Sequence, residues 1–184
     1  MMQDLAMHML EIIMNSIAAG ATLIQITVND SLLRNVIEMI VTDNGKGMSE
    51  EFVKTVMDPF TTSRTTRKVG MGVAFMKGLT EQCGGTFDVK SKLGVGTTLT
   101  ATVQKDHIDT PAMGNLGEMM MYCIQSNADI DYEFTYRTDA GEYKCNTVEI
   151  KETLDGVSIL EPEILLWVKD YINGGIQELK EEAE

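Results

Sequence analysis

The sequence predicts an α+β protein in which helices cover one face of a mixed β-sheet. Three observations support a globular domain of this class. Periodic segments follow the order helix, two strands, two helices separated by a polar loop, and two strands, which suits a two-layer sandwich. The 184 residues are enough for one well-cored domain, or for a small domain with an appendage. A hydrophobic share of 43% with 23% charged residues is ordinary for a globular chain.

The first helix is predicted over residues 5–19. Its apolar residues recur at helical spacing, and they are Leu5, Met9, Ile12, Ile13 and Ile17. Asp4 is suited to cap the start, because a short carboxylate accepts hydrogen bonds from the free amides of a first turn. Gly20 is suited to end the helix, since glycine is common just past a helix C-terminus.

Six further helices and strands, and one turn, are predicted before residue 104. In chain order they are a strand over 22–28, a turn at Asn29, Asp30 and Ser31, a strand over 36–41, a short helix from Ser49 to near Pro59, a helix over 71–82, and strands over 86–91 and 97–103. The two short helices are joined by residues 61–70, which contain four Thr, one Ser and three basic residues. We expect this segment to be a polar connection.

The rest of the chain predicts a small αββα appendage. Its elements are a helix over 115–125, strands over 130–136 and 142–153 that are joined by a turn at Asp139, Ala140 and Gly141, and a helix from Pro162 to about Asn173. Gly174 and Gly175 are expected to interrupt that last helix, because glycine disfavours a helix interior.

The charge of the chain is unevenly distributed. The net charge is −13, and residues 104–184 contain only six Lys or Arg against eighteen Asp or Glu. This change in composition predicts two units, a domain over residues 1–104 and an acidic subdomain over residues 105–184. An acidic unit repels phosphate, so nucleic acid and anionic membranes are not expected as its partners.

Other bulk features narrow the class of protein. Cys83, Cys123 and Cys145 are widely spaced and lack a CxxC pair, which favours reduced, buried thiols over disulfides or a zinc site. No apolar run approaches the length of a bilayer span, and the first residues lack the pattern of a secretory signal. We therefore expect a cytoplasmic protein without a membrane partner.

Glu11 and Asn15 lie four residues apart in the first predicted helix, so their side chains project from one face. The pair suits phosphate chemistry, because a carboxylate can orient or deprotonate a nucleophile and an amide oxygen can ligate magnesium. Taken alone, such a pair usually lies on a solvated helix face.

A glycine loop follows the second predicted strand and runs from Asp43 to Met48. A carboxylate at its start can accept a hydrogen bond from an exocyclic amine, while Gly45 and Gly47 allow backbone to approach a flat base. The alternative for this loop is a simple turn with an Asx cap.

Gly70, Met71 and Gly72 open the next helix, where backbone amides can bind phosphate. The segment is neither a Rossmann fingerprint nor a P-loop, because no strand precedes the glycines and no GxxxxGK[ST] is present. The nearby basic residues, which are Arg64, Arg67 and Lys68, can either reach a terminal phosphate or stay solvated.

These segments together resemble the motifs of the GHKL superfamily, which includes gyrase B, heat-shock chaperone ATPases, sensor histidine kinases and MutL. Residues 11–21 resemble its N box and residues 43–48 its G1 box. The segment that begins at residues 59–63 and ends at residues 70–74 is similar to the histidine-kinase lid and G2 box. Residues 94–98 resemble the closing GxGT segment of the superfamily. The resemblance covers residues 1–104 and implies the Bergerat sandwich fold with bound Mg-ATP.

The resemblance also implies roles for single residues. Glu11 would be the general base or the group that orients the nucleophile, and Asn15 a magnesium ligand. Asp43 would bind the adenine amino group, Gly47 and Thr97 would line the base pocket, and Gly70 with Gly72 would place a lid, residues 58–72, around the phosphates. The full set of expected ATP contacts is Asn15, Asp43, Gly45, Gly47, Met48, Thr61, Thr62, Lys68, Gly70, Met71, Gly72 and Thr97.

The motifs do not select one subfamily. Ala18 stands where MutL-type sequences usually have Asp, although the neighbouring Asn15 and Ser16 are MutL-like and the lid is kinase-like. No helix is predicted before the N box, so we expect no phosphoacceptor helix of a sensor kinase. His8 lies three residues before Glu11, and we expect it to be a core or pocket-wall residue, whereas His107 is expected at the surface.

Three functions follow from the resemblance. The first is a signalling protein that transfers phosphate to, or conformationally regulates, a protein partner of the response or sigma-regulatory type, with a homodimer also compatible. The second is a nucleotide-gated module whose acidic residues 105–184 dock a protein. The third is a MutL- or gyrase-like clamp, which would need a phosphate-contacting lysine such as Lys144 or Lys151.

Overall fold

The computed structural model describes residues 4–58 and 71–183. Six helices and six strands are assigned within these ranges. In chain order they are α1 Leu5–Ala18, β1 Leu23–Ser31, β2 Val36–Asp43, α2 Glu50–Met57, α3 Gly72–Gln82, β3 Phe87–Lys92, β4 Gly96–Gln104, α4 Leu116–Ser126, β5 Asp131–Thr138, β6 Glu142–Asn146, α5 Thr147–Leu154 and α6 Pro162–Ala183. The predicted α+β class is confirmed.

All six strands form one sheet in the order β3-β4-β2-β1-β5-β6. Neighbouring strands are antiparallel except β1 and β5, which run parallel from Leu23 opposite Asp131 to Asp30 opposite Thr138. The sheet is therefore mixed, and β1 lies near its centre. Strands β5 and β6 belong to the predicted subdomain over residues 105–184, which we call the tail. They extend the sheet from β1, so the tail contributes to the same layer.

One face of the sheet is packed against helices. In β1, Ile24, Ile26 and Val28 are fully buried, while the alternate residues are partly exposed. Side chains alternate between the two faces of a strand, so this pattern places one face in the core and the other towards solvent. The chain thus forms the predicted two-layer sandwich.

Helix ends follow the sequence signals closely. The Asp4 carboxylate accepts a hydrogen bond from the Met7 amide at 2.9 Å, and Asn115 caps α4 through the Glu118 amide at 2.8 Å. All three cysteines are free and buried, as expected. No helix in the described ranges is long and apolar enough to span a bilayer.

The predicted turn at residues 29–31 is wrong. These residues continue β1 and pair with β2, and the turn falls at residues 32–35, with Asn35 at a positive φ of 52°. The buried Asp30 explains the longer strand, because its carboxylate accepts a hydrogen bond from the Tyr136 hydroxyl at 2.7 Å and pairs with Lys105. Polar residues that suggested a turn are thus satisfied by tail residues.

The predicted strand over 142–153 is also wrong beyond residue 146. Asn146 ends β6 and caps a helix, since its side-chain oxygen accepts a hydrogen bond from the Val148 amide at 2.9 Å. The tail therefore contains α5 in addition to the predicted αββα elements. The predicted boundary at residue 104 coincides with the end of β4, and the division into two units stays a prediction.

The predicted interruption of the last helix is wrong as well. Helix α6 continues through Gly174 and Gly175 to Ala183. A Cβ atom at Gly175 would collide with the Tyr143 ring. Glycine is needed here for close packing of α6 on β6, and this packing offsets its low helix propensity.

Candidate functional site

Helix α1 presents Glu11 and Asn15 on one side, one turn apart. Glu11 is exposed and Asn15 is half-buried, whereas Ile12, Ile13 and Ser16 on the opposite side are buried. The start of α3 lies directly against Glu11, because a Cβ atom built on Gly72 would be 2.9 Å from the Glu11 Cβ. The structure therefore brings the first and third sequence motifs together.

Asp43 lies at the end of β2 and is buried. Its Oδ2 accepts a hydrogen bond from the Ser16 hydroxyl at 2.6 Å, and its Oδ1 accepts one from the Gly45 amide at 2.9 Å. A carboxylate offers about four lone-pair sites, so these two bonds leave acceptor capacity for an exocyclic amine. The Asx turn and the ligand role considered for this loop are compatible.

The glycine loop after Asp43 is tightly enclosed. The Lys46 amide donates to the Ala19 carbonyl at 3.0 Å, and the Gly94 amide donates to the Lys46 carbonyl at 2.8 Å. Gly47 has a φ of 67°, and a Cβ there would collide with the Lys92 carbonyl oxygen. The loop thus requires glycine at this position for its own packing, independently of any ligand.

Thr97 stands directly opposite Asp43 in the β2–β4 ladder. Its hydroxyl lies 2.7 Å from the Ser91 hydroxyl, and the Ser91 oxygen also accepts a hydrogen bond from the Met48 amide at 2.8 Å. Ser91 therefore connects two predicted ATP contacts, Met48 and Thr97, at the end of the sheet that carries Asp43.

Sequence reasoning gave no role to Ser16 or Ser91. Ser16 follows Asn15 inside the first motif. A hydroxyl on the apolar side of the predicted helix, five positions after Glu11, was the signal that could have indicated its role. Ser91 had no signal of its own, since its partners on the loop and on β4 become adjacent only in the folded sheet.

Several predicted contacts cannot be placed. Thr61, Thr62, Lys68 and Gly70, together with most of the predicted lid, lie outside the described residues. Met71 is described, is 68% exposed, and precedes α3, which begins one residue later than predicted.

His8 lies one turn before Glu11 and is half-buried. Burial lowers its pKa below the ordinary value, although the nearby Asp4 and Glu11 carboxylates oppose this shift. Its Nδ1 atom is buried and has no hydrogen-bond partner among the described residues. These features agree with a neutral core or pocket-wall histidine.

Asn15 and Glu11 offer too few ligands to hold magnesium alone, so they suit magnesium only in combination with phosphate. Within residues 4–58 and 71–183, no three His, Cys, Asp or Glu side chains are grouped so that they could hold a metal ion. Magnesium commonly keeps several waters and binds through one or two protein ligands plus substrate phosphates. The half-buried Asn15 beside the exposed Glu11 fits that mode of binding.

A model of the histidine kinase-, DNA gyrase B- and HSP90-like ATPase family matches residues 3–107. The chain belongs to this family. The predicted GHKL membership is confirmed, and membership implies ATP binding. The matched segment contains every predicted site residue.

Curated relatives match this GHKL ATPase domain over short stretches. Sensor histidine kinase ZraS of Escherichia coli is 34% identical over 64 residues, which are 35% of this chain and 14% of that protein. Sensor histidine kinase YvrG of Bacillus subtilis is 34% identical over 76 residues, which are 39% of this chain and 13% of that protein. The chain thus matches only a small part of these relatives' length.

A solved structure supports the fold. The Aquifex aeolicus MutL ATPase domain complexed with ADP aligns with a TM-score of 0.50 at 14% identity, covering 84% of this chain and 68% of that chain. Residues 3–107 alone cannot supply 84% of the chain, so the likeness in fold continues into the acidic tail.

Proposed function

We propose that this GHKL ATPase domain binds Mg-ATP and transfers phosphate to, or conformationally regulates, a protein partner. The observation that carries the proposal is the hydrogen bond of 2.6 Å from Ser16 to Asp43. It ties the helix that bears Glu11 and Asn15 to the glycine loop. A residue proposed to hold the base is thereby kept beside residues proposed to act at the phosphates.

The base would be held at the end of the β2–β4 pair. Asp43 would accept a hydrogen bond from the adenine amino group, with Gly45, Gly47, Met48 and Thr97 around the ring. The buried carboxylate is already oriented by two donors, so little side-chain freedom would be lost on binding. Such preorganisation favours affinity and selectivity for adenine over bases that lack the amine.

The phosphates would lie between α1 and the start of α3. The Asn15 side-chain oxygen would ligate magnesium, and Gly72 would allow the amides at the start of α3 to approach the phosphates. Bound Mg-ATP supplies an activated phosphoryl group whose charge the metal partly neutralises. Glu11, exposed at this place, would orient an attacking hydroxyl or water and accept its proton.

A protein partner is supported by apolar surface at the start of α3, the part of the helix where Gly72 lies against Glu11. Met71 is 68% exposed, and Phe75, one turn further along α3, is 52% exposed. Residues four apart on a helix lie on the same face, so these two side chains form one apolar surface near the proposed phosphates. The matched relatives include proteins named sensor histidine kinases, which favours a signalling role.

The nucleotide-gated module remains the second candidate, because hydrogen bonds link the glycine loop to the tail. The Asn44 Oδ1 accepts hydrogen bonds from the Thr22 and Leu23 amides at 2.8 and 3.0 Å, and the Thr22 carbonyl accepts one from the Asp131 amide at 2.9 Å. Movement of the loop on nucleotide binding would therefore be transmitted to the start of β5 through these hydrogen bonds.

The clamp has no such support. Lys144 pairs with Glu142 at 2.6 Å and Lys151 with Asp131 at 3.2 Å. Both lysines thus neutralise tail carboxylates, and neither is proposed as a phosphate contact.

Single-turnover assays with labelled Mg-ATP and the variant Glu11→Gln separate the two candidates. An enzyme would keep ATP affinity within about twofold in this variant and lose phosphate release or transfer by about a hundredfold or more, the range of a lost general base. The matched control is Glu51→Gln, an exposed carboxylate on α2, which should change neither quantity. If the natural chain turns over ATP only near the background rate, and Glu11→Gln leaves that rate unchanged, the result favours the nucleotide-gated module. If the chain does not bind ATP, both candidate functions are refuted.

A further inference from the structure

Strand β6 forms one end of the sheet and has an open outer edge. It pairs with β5 on its inner side, and in the described ranges no backbone hydrogen bond joins Glu142–Asn146 to any strand other than β5. Unpaired amides and carbonyls on an edge strand form a template for another extended segment. Natural edges are commonly covered or charged, so the side chains next to β6 indicate what this edge accepts.

A groove of about 410 Å³ lies between β6, α5 and α6, and its largely apolar lining also includes Lys144 and Glu149. Ile150, Leu154 and Ile164 contribute its aliphatic wall. Trp167 and Tyr171 are 49% and 47% exposed, and their rings stack with centroids 4.9 Å apart. Exposed Trp and Tyr in such grooves are characteristic of protein-binding surfaces.

A second groove of about 420 Å³ continues beyond Tyr171, which lines both. Among the described residues, its wall includes four carboxylates and no Lys or Arg. Glu142 is neutralised by Arg137 and Lys144, but Asp170, Glu178 and Glu182 take part in none of the ion pairs in the described part of the chain. We call the two grooves together, with the outer edge of β6, the edge trough.

The charge of the edge trough selects among possible occupants. A second copy would bring the same carboxylates into proximity, and residues 104–184 already contain eighteen acidic against six basic residues. Like charges brought together at an interface are costly, whereas Lys or Arg would find both carboxylates and an aromatic face. The occupant with complementary chemistry is a cationic segment that also has bulky apolar side chains.

We propose that the edge trough binds an extended, lysine- or arginine-rich segment of a partner protein, which adds a strand to β6. Its cationic side chains lie in the groove with Asp170, Glu178 and Glu182, and an apolar side chain lies against Trp167 and Tyr171. This inference rests on the proposed function in requiring a protein partner, and it specifies that partner's chemistry.

Trp167 is the sole tryptophan of the chain, so its fluorescence reports directly on the trough. The probe is a short acetylated peptide in which lysines and leucines alternate with threonines, and its counterpart has glutamate in place of lysine. The full chain is titrated without nucleotide at low salt. We expect saturable binding of the lysine peptide that weakens as salt is added, and no binding of the glutamate peptide.

The variant Asp170→Asn/Glu178→Gln/Glu182→Gln should weaken binding about tenfold or more, because it removes the complementary charge. The matched control, which has the same change in net charge, replaces Glu51, Glu81 and Asp129, exposed acids outside the trough, by their amides. Tyr171→Ala should also weaken binding. Thermal unfolding of each variant establishes that it is folded.

Three kinds of result would overturn the proposal. Equal binding of both peptides, or equal loss in the trough and control variants, would mean that charge does not select the occupant. A concentration-dependent dimer in sedimentation that Tyr171→Ala abolishes, without peptide binding, would assign the trough to a second copy. Methylating alternate amides of the peptide should abolish binding, and undiminished binding would refute strand addition. ATP binding, measured separately, distinguishes these failures from failure of the proposed function.

Discussion

Replacing Asp43 by Asn tests the proposed recognition of adenine. The change keeps the shape of the side chain but converts one acceptor into a donor. In the present structure Oδ2 accepts from Ser16 at 2.6 Å and Oδ1 from Gly45 at 2.9 Å. The variant can keep the second bond, and it can keep the first only in reverse, with its amide nitrogen donating to the Ser16 hydroxyl. A hydrogen bond to a charged group contributes about 1.5–3 kcal/mol, which corresponds to about a 10- to 150-fold change in affinity.

The assay compares ATP with inosine triphosphate, which has a carbonyl oxygen in place of the adenine amine. Competition against a fluorescent ADP analogue gives both dissociation constants. The natural chain should prefer ATP by roughly the 10- to 150-fold factor expected for one charged hydrogen bond, and Asp43→Asn should abolish or reverse that preference, since its amide can donate to the carbonyl.

The control is Ser16→Ala, which removes the hydroxyl partner but leaves the carboxylate. It should weaken both nucleotides to a similar degree and keep their ratio. If Asp43→Asn weakens ATP and inosine triphosphate equally, Asp43 acts only through the packing of α1 on the loop, and the reasoning on adenine recognition is refuted.

Three further substitutions address stability. Gly47→Ala should lower the free energy of unfolding by about 2–5 kcal/mol, because the left-handed backbone is strained and a Cβ collides with the Lys92 carbonyl; thermal unfolding measures this. Tyr136→Phe should lower it by about 1–3 kcal/mol in urea titrations, since it removes the buried hydrogen bond to Asp30. His8→Gln should flatten the acid limb of stability: burial lowers the His8 pKa, so the unfolded chain binds more protons and the native state loses stability as pH falls below 6.5.

Each of these predictions has a matched control. Gly94→Ala also places alanine at a positive φ, 73°, but in open space, so it should cost less than Gly47→Ala; equal costs would exclude the collision. Tyr122→Phe removes the hydroxyl of an exposed tyrosine, whose hydrogen bond to Glu118 is long, at 3.5 Å, and it should be nearly neutral, unlike Tyr136→Phe. Met14→Gln, which changes an exposed residue of the same helix without removing a titratable group, should leave the pH profile unchanged, and an identical flattening by both variants would contradict the assignment to His8.

Local signals predicted much of this fold. The helix over residues 5–19 followed from apolar spacing and the Asp4 cap, and the turn at 139–141 from residues that favour it; both lie in the structure within one or two residues of their predicted ends. These features depend on neighbours in the sequence. The same locality explains why Glu11 and Asn15 were placed on one helix face correctly.

The errors arose where distant residues decide the structure. Asp30 was interpreted as a turn residue because its partners, the Tyr136 hydroxyl and the Lys105 ammonium group, are distant in the sequence. Gly175 resembled a helix breaker because the Tyr143 ring that it accommodates lies on another element. In the site, the Ser16–Asp43 bond joins residues 27 apart, so no local pattern could indicate it.

The parallel pairing of β1 with β5 has a consequence for how the chain is made. On the ribosome β1 can pair with β2 almost at once, but its other edge waits for a strand 108 residues further along, as in the pair Gln25 and Glu133. At about 5–20 residues per second the delay is roughly 5–20 s. During that time the edge of a strand bearing Ile24, Ile26 and Val28 is unprotected. Synthesis of the acidic tail therefore ends the period in which the newly made ATPase domain is most prone to aggregate.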